Sequence, residues 1–236
     1  MSDHIAKAYD LDIAALKTQL AEMGGLAEEQ LANAIQALSR RDTVMADHVI
    51  RNDDKLDELE RSIEEKAILT IAKRQPMALD LREIMVAIRI ASDIERIGDL
   101  AKNTAKRTHA ISEALPRKLS TGLARMGAMA QAQLKQVLDA YAMRDDEKGL
   151  AVWRADEELD ALYNSIFREL LTYMMEDPRN IGLCAHLLFG AKNIERIGDH
   201  TTNIAETVYF LARGVPLTDE RPKNDKTSST LVHKAS

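Results

Sequence analysis

The chain has 236 residues, enough for one large domain or two of about 100 residues each. Apolar residues make up 45%, charged residues 30% and aromatic residues 4%, with ten Gly and five Pro. That balance belongs to long amphipathic helices with Ala, Leu, Ile and Met cores and argues against an all-β fold. The formal net charge of −6 argues against nucleic acid as a partner and leaves divalent cations as plausible ligands.

Apolar runs fall short of the roughly 18 residues of a membrane span, and residues 1–12 are too polar and acidic for a signal peptide. A cytoplasmic location is expected. The single cysteine, Cys184, lies in a helical apolar run and reads as a small buried residue.

Apolar residues at spacings of three and four predict a first helix over 10–39, a second over 43–74 and a third over 79–111. Turns fall at Arg40-Arg41-Asp42 and around Pro76, and Leu115-Pro116 closes this first part. Three more helices follow over 120–143, 146–175 and 181–212, with turns at Arg144-Asp145 and Asp177-Pro178. The second set is a copy of the first. Leu16 to Gly24 returns as Leu119 to Gly127, Gln30-Leu31 as Gln133-Leu134, Arg41-Asp42 as Arg144-Asp145 and Leu56-Asp57 as Leu159-Asp160. About 20 of roughly 48 positions in this register are identical, where unrelated sequence would give about three.

Short loops force neighbouring helices to run antiparallel, so the expected fold is all-α: two tandem, duplicated three-helix up-down-up bundles. Residues 1–114 form the first repeat and 117–213 the second. Residues 214–236 have no apolar periodicity and read as a disordered tail that adds nothing to the core.

Past the second turn the copies slip by three residues, and Ile94-Glu95-Arg96-Ile97-Gly98-Asp99 then overlies Ile194-Glu195-Arg196-Ile197-Gly198-Asp199. On a helix, Glu95, Asp99 and Asn103 form a column about 12 Å long on the flank of the apolar face. Glu195, Asp199 and Asn203 repeat it. Like charges one turn apart repel, so each column calls for a positive partner. That partner is a metal ion such as magnesium, manganese, iron or zinc, or else an ordinary salt bridge from Arg96, Arg196 or Lys102. Asp53 with Asp57 and Asp156 with Asp160 recur on the second helices. They either extend the site, with Asp57 and Asp160 as supporting residues, or face solvent. Gly98 and Gly198 read as points of close helix approach.

The six histidines are scattered, none three residues after a Glu, so the E-x-x-H pattern of di-iron helical oxidases is missing. His186 and His200 read as structural. The sequence contains no P-loop, no G-x-S-x-G and no H-E-x-x-H. No catalytic residues are assigned.

The strings S-D-I-E-R-I-G-D-L-A-K-N-T-A and K-N-I-E-R-I-G-D-H-T-T-N-I-A, within a duplication covering residues 10 to 213, resemble the PhoU family. The resemblance implies two similar three-helix bundles side by side, a homodimer, and acidic motifs that hold iron, zinc or other ions at Glu95, Asp99, Glu195 and Asp199. It also implies a role as a negative regulator of phosphate-starvation signalling. In that role the protein contacts a phosphate-sensing histidine kinase and the ATPase of the high-affinity phosphate ABC transporter, and meets the membrane only through them. The alternatives are a helical carboxylate-bridged metalloenzyme and a purely structural helical scaffold.

Overall fold

The computed structural model describes residues 2–111, 115–219 and 221. Six long helices follow one another: α1 (Ser2–Arg40), α2 (Thr43–Arg74), α3 (Leu79–Arg107), α4 (Arg117–Met143), α5 (Asp146–Glu176) and α6 (Ile181–Arg213). Single 3₁₀ turns, Thr108–Ala110 and Pro178–Asn180, finish α3 and precede α6. The described residues contain no strand, and the duplicated three-helix architecture is as the sequence implies. The first helix begins earlier than its apolar spacing shows, at Ser2, and the third ends at Arg107. Of the expected tail, residues 220 and 222–236 lie outside the described residues, as do 112–114.

The turn that separates the first two helices of each bundle is built twice in the same way. Arg41 and Arg144 take left-handed backbone, with φ of 57° and 52°. The next N–H groups reach back, Asp42 to the Ala37 carbonyl at 3.0 Å and Asp145 to that of Ala140 at 2.9 Å. The same two aspartates then cap the following helix, accepting from the Met45 N–H at 2.9 Å and the Lys148 N–H at 3.0 Å. A sharp reversal and a firm helix start thus come from one Arg-Asp pair in each copy.

Within each bundle all three helices pack on one another, while α1 meets α4 and α3 meets α6 across the seam between bundles. One core runs through both halves, from Leu16, Leu31 and Ile94 to Leu134, Leu159 and Ile194. The seam is close because glycine admits a side chain from the opposite helix. A Cβ on Gly24 would lie 2.6 Å from Leu138 Cδ1, and one on Gly127 would lie 2.3 Å from Ile35 Cδ1. Gly24 corresponds to Gly127 in the repeat and Ile35 to Leu138, so the same contact is made twice with roles exchanged.

Polar and cation–π contacts stitch α3 to α6. His200 Nδ1 lies 2.8 Å from Asp93 Oδ1, and the Asn203 amide donates to the same oxygen at 3.2 Å. Arg107 stacks over Phe189, while Arg82 and Arg89 flank Phe210. Early α3 residues meet late α6 residues, so the two helices are antiparallel.

Beyond α6, Gly214 adopts φ of 80° and its N–H caps the Phe210 carbonyl. The segment then turns back. Leu217 packs against the core and Arg221 is only 15% exposed, which departs from the expectation of a tail making no contact with the core.

Candidate functional site

Each acidic motif lies on the third helix of its bundle, facing the second. Gly98 and Gly198 let that second helix settle onto the motif: a Cβ on Gly98 would lie 2.3 Å from Leu56 Cδ1, and one on Gly198 would lie 2.4 Å from Leu159 Cδ2. This close approach brings Asp53 and Asp156, one turn before those leucines, down beside the motif. Asp53 is 2% exposed and Asp156 1% exposed. Carboxylates that deep need a cation or a proton.

In the first bundle the cation is Lys102. Its ammonium bridges Asp53 Oδ2 and Asp99 Oδ1, the latter at 2.9 Å. Burial pushes the Asp53 carboxyl above its usual range and the Lys102 ammonium pulls it back. The two carboxylates in turn raise the lysine above its ordinary value despite desolvation. Glu95 stands close by, raised by burial and then by the charges of Asp99, Glu60 and Asp57, with the exposed Arg96 at 3.4 Å as partial compensation. Two residues of the sequence column, Glu95 and Asp99, therefore converge with two acids of α2, Asp57 and Glu60. Asn103 lies half-buried one turn further on.

In the second bundle the residue matching Lys102 is Thr202, whose hydroxyl donates to the Asp199 carbonyl at 2.7 Å. The cation comes from beyond the last helix instead. Arg221 Nη2 donates to Asp156 Oδ2 at 2.6 Å and pairs with Asp199 Oδ1 at 2.7 Å. Burial pushes Asp156 upward against this pull. Glu195 and Asp160 are both buried, and Lys192 Nζ lies 2.7 Å from Glu195 Oε2. Tyr163 replaces Glu60, with Lys192 over its ring at 5.1 Å. Two buried oxygens at this site, Asp156 Oδ1 and Gln133 Oε1, accept no hydrogen bond. Both approach the space above Gly198, at 2.7 and 3.6 Å from a Cβ placed there.

Glu95, Asp99 and Asp57 are thus brought together, as are Glu195, Asp199 and Asp160. Asn203 is not; it is turned to Asp93 at the seam. Sequence reasoning left Asp53 and Asp156 between extending the site and facing solvent; they are the most deeply placed acids of the two sites. It did not find Glu60, Gln133 or Arg221. The doubled Gln30 and Gln133 were a signal for the second of these, while nothing in the residues after 214 marked Arg221.

The donor set suits a hard cation in chemistry, being carboxylate and amide oxygen, and two of those oxygens lack a partner. In this arrangement, though, no group of three His, Cys, Asp or Glu that could hold a metal ion occurs among the described residues. An ammonium and a guanidinium hold the carboxylates. A separate cleft of about 410 Å³ beside Tyr9, Lys17, Asp80, Glu83 and Arg144 carries matched charges, with Lys17 and Arg144 both turned to Glu83.

The fold and sites define a protein of twice-repeated three-helix bundles, each bundle with a buried acid–glycine site between its second and third helices. The PhoU domain matches residues 20–108 and again 123–208, and the chain belongs to the PhoU family. It is 58% identical over 227 residues to the phosphate-specific transport system accessory protein PhoU homolog of Rhizobium meliloti, covering 96% of each chain. It is 50% identical over 229 residues to the protein of that name in Caulobacter vibrioides, covering 97% of this chain and 100% of the relative. Among solved structures it is similar to PhoU from Pseudomonas aeruginosa, with a TM-score of 0.84, 36% identity and coverage of 88% of this chain and 100% of the other. The phosphate transport system regulatory protein PhoU from Streptococcus pneumoniae superposes with a TM-score of 0.82 at 26% identity, covering 89% and 99%.

Proposed function

We propose that this protein is a non-enzymatic, cytoplasmic negative regulator of the phosphate regulon and a modulator of high-affinity phosphate transport. It acts as a homodimeric adaptor between a phosphate-sensing histidine kinase and the ATPase of the phosphate ABC transporter. The observation that carries this reading is 58% identity, over nearly the whole of both chains, to a protein named as an accessory of phosphate-specific transport. No helix among the described residues is long and apolar enough to cross a membrane, in keeping with contact through membrane-bound partners. The two acid–glycine sites serve as cation sites. Magnesium, manganese, iron or zinc there would take carboxylate oxygen from Asp99 and Glu95 in one bundle and from Asp199, Glu195 and Asp160 in the other, displacing the internal cation. The unpartnered Asp156 Oδ1 and Gln133 Oε1 favour such an occupant.

The test combines Asp99→Asn with Asp199→Asn in the cell of origin. Phosphate-starvation genes are expected to be released in phosphate-rich medium while helix content stays unchanged, and elemental analysis of the purified variant should show less bound metal. Full repression by a folded double variant would refute the role of these sites.

A further inference from the structure

The two sites differ in where their internal cation comes from. Lys102 belongs to the motif helix itself, one turn from Asp99, and remains near its carboxylates as long as α3 is folded. Arg221 lies outside the six helices, beyond Gly214, and reaches Asp156 and Asp199 only because the segment turns back.

Arg221 is also an imperfect occupant. Only its Nη2 is bound to the carboxylates, and its buried Nε donates to nothing. Asp156 Oδ1 and Gln133 Oε1 accept nothing, although Asp156 is 1% and Gln133 5% exposed. Each buried polar atom left without a partner costs stability, because it has given up water and gained nothing in return. A guanidinium is a flat fork, whereas these oxygens approach from α4 and α5 as well as α6. A compact divalent cation gathers six or so oxygens from several directions and would engage both Asp156 oxygens together with Gln133. The site therefore keeps oxygens that Arg221 leaves unsatisfied and that an ion, with Arg221 displaced, would take.

We propose that Arg221 gates the second acidic site, so that its guanidinium and a divalent cation exclude one another there, while the first site keeps Lys102. This rests on the cation reading given above and adds that the two duplicated sites are unequal. The second is the exchangeable one, and ion uptake there releases Arg221 from Asp156 and Asp199.

The experiment titrates Mn(II) into the full-length protein and follows free Mn(II) by electron paramagnetic resonance. If Arg221 closes the site nine-tenths of the time, Arg221→Gln should tighten one Mn(II) site about tenfold. Adding Asp156→Asn or, separately, Asp199→Asn to that variant should remove the gain. Arg179→Gln makes the same charge change at a residue 91% exposed in its side chain and outside the site, and should leave affinity unaltered. Equal Mn(II) affinity in the wild type and Arg221→Gln overturns the gate and leaves the cation sites standing. An equal gain in Arg179→Gln also overturns it, since the effect would then be one of net charge. Absence of Mn(II) binding in every chain overturns the cation reading itself, and the gate with it.

Discussion

Leu159 fills the space that a side chain on Gly198 would need, its Cδ2 lying 2.4 Å from where that Cβ would stand. Leu159 is fully buried and has no open side to move toward. Gly198→Ala is therefore expected to destabilise the fold, because overpacking costs about 1–3 kcal/mol and helix propensity returns about 1 kcal/mol at most. Gly25→Ala is the contrast. Gly25 lies in the interior of α1 with nothing within 4 Å of its added Cβ, so the same change should stabilise by about 0.5–1 kcal/mol. Urea denaturation of the two variants separates these effects, and a stabilised Gly198→Ala would contradict the close packing of α5 on the motif.

Lys102→Met strands Asp53, a carboxylate with almost no exposure. Removing one member of a buried ion pair costs about 3–5 kcal/mol, and the 22% exposure of Lys102 places this case near the lower end. Adding Asp53→Asn should recover most of the loss, since an amide in that position carries no charge to desolvate. A double-mutant cycle on thermal stability measures the coupling; simple additivity would mean the pair is not formed in solution.

Asp93 serves two donors across the seam, His200 and Asn203. Asp93→Ala leaves both without their acceptor, and a lost hydrogen bond to a charged group is worth about 1.5–3 kcal/mol. Once Asp93 is gone, His200→Ala should cost little more. Strong non-additivity between the two is the expected result, and independent effects would count against the bond.

Burial raises the Tyr141 phenol from 10.0 to about 12, and Tyr9 is likewise raised to about 12 by burial and the nearby Asp80. Between those values the unfolded chain has released the phenolic proton and the folded chain has kept it. Folded stability therefore declines as pH rises from about 10 toward 12, and this part of the decline should be smaller in Tyr141→Phe. Absorbance near 295 nm should show tyrosines that ionise late, one fewer in the variant. Burial also raises the Cys184 thiol, so alkylation of the native protein at pH 8 should be slow and become fast on unfolding.

The helices were legible because each carries its apolar residues at a period near 3.6 and is bounded by residues that end helices. Thr43–Arg74 agrees with the apolar pattern at both ends, and the Arg-Asp turns recur at the same place in both copies. The acidic columns were legible as columns, since their spacing alone puts Glu95 above Asp99. Their depth was not. Whether Asp53 faces water or Gly98 depends on how closely α2 approaches α3, a tertiary distance that no spacing along one helix encodes. Lys102 was recognisable as a salt-bridge partner from its position, but its bridge to Asp53 spans two helices. Arg221 was invisible for a plainer reason: it sits among polar residues with no periodicity, and only the fold carries it back to α5.

The exchanged contacts at Gly24 with Leu138 and Gly127 with Ile35 make the seam an isologous interface, the kind that normally joins two identical subunits. The chain is in effect a homodimer of half-molecules whose subunits have been fused end to end. Its self-complementary surface, on α1, α3, α4 and α6, is spent inside the monomer. Any association of whole chains therefore draws chiefly on other ground, and α2 and α5, which lie outside the main seam contacts of α1 with α4 and α3 with α6, offer related faces for it.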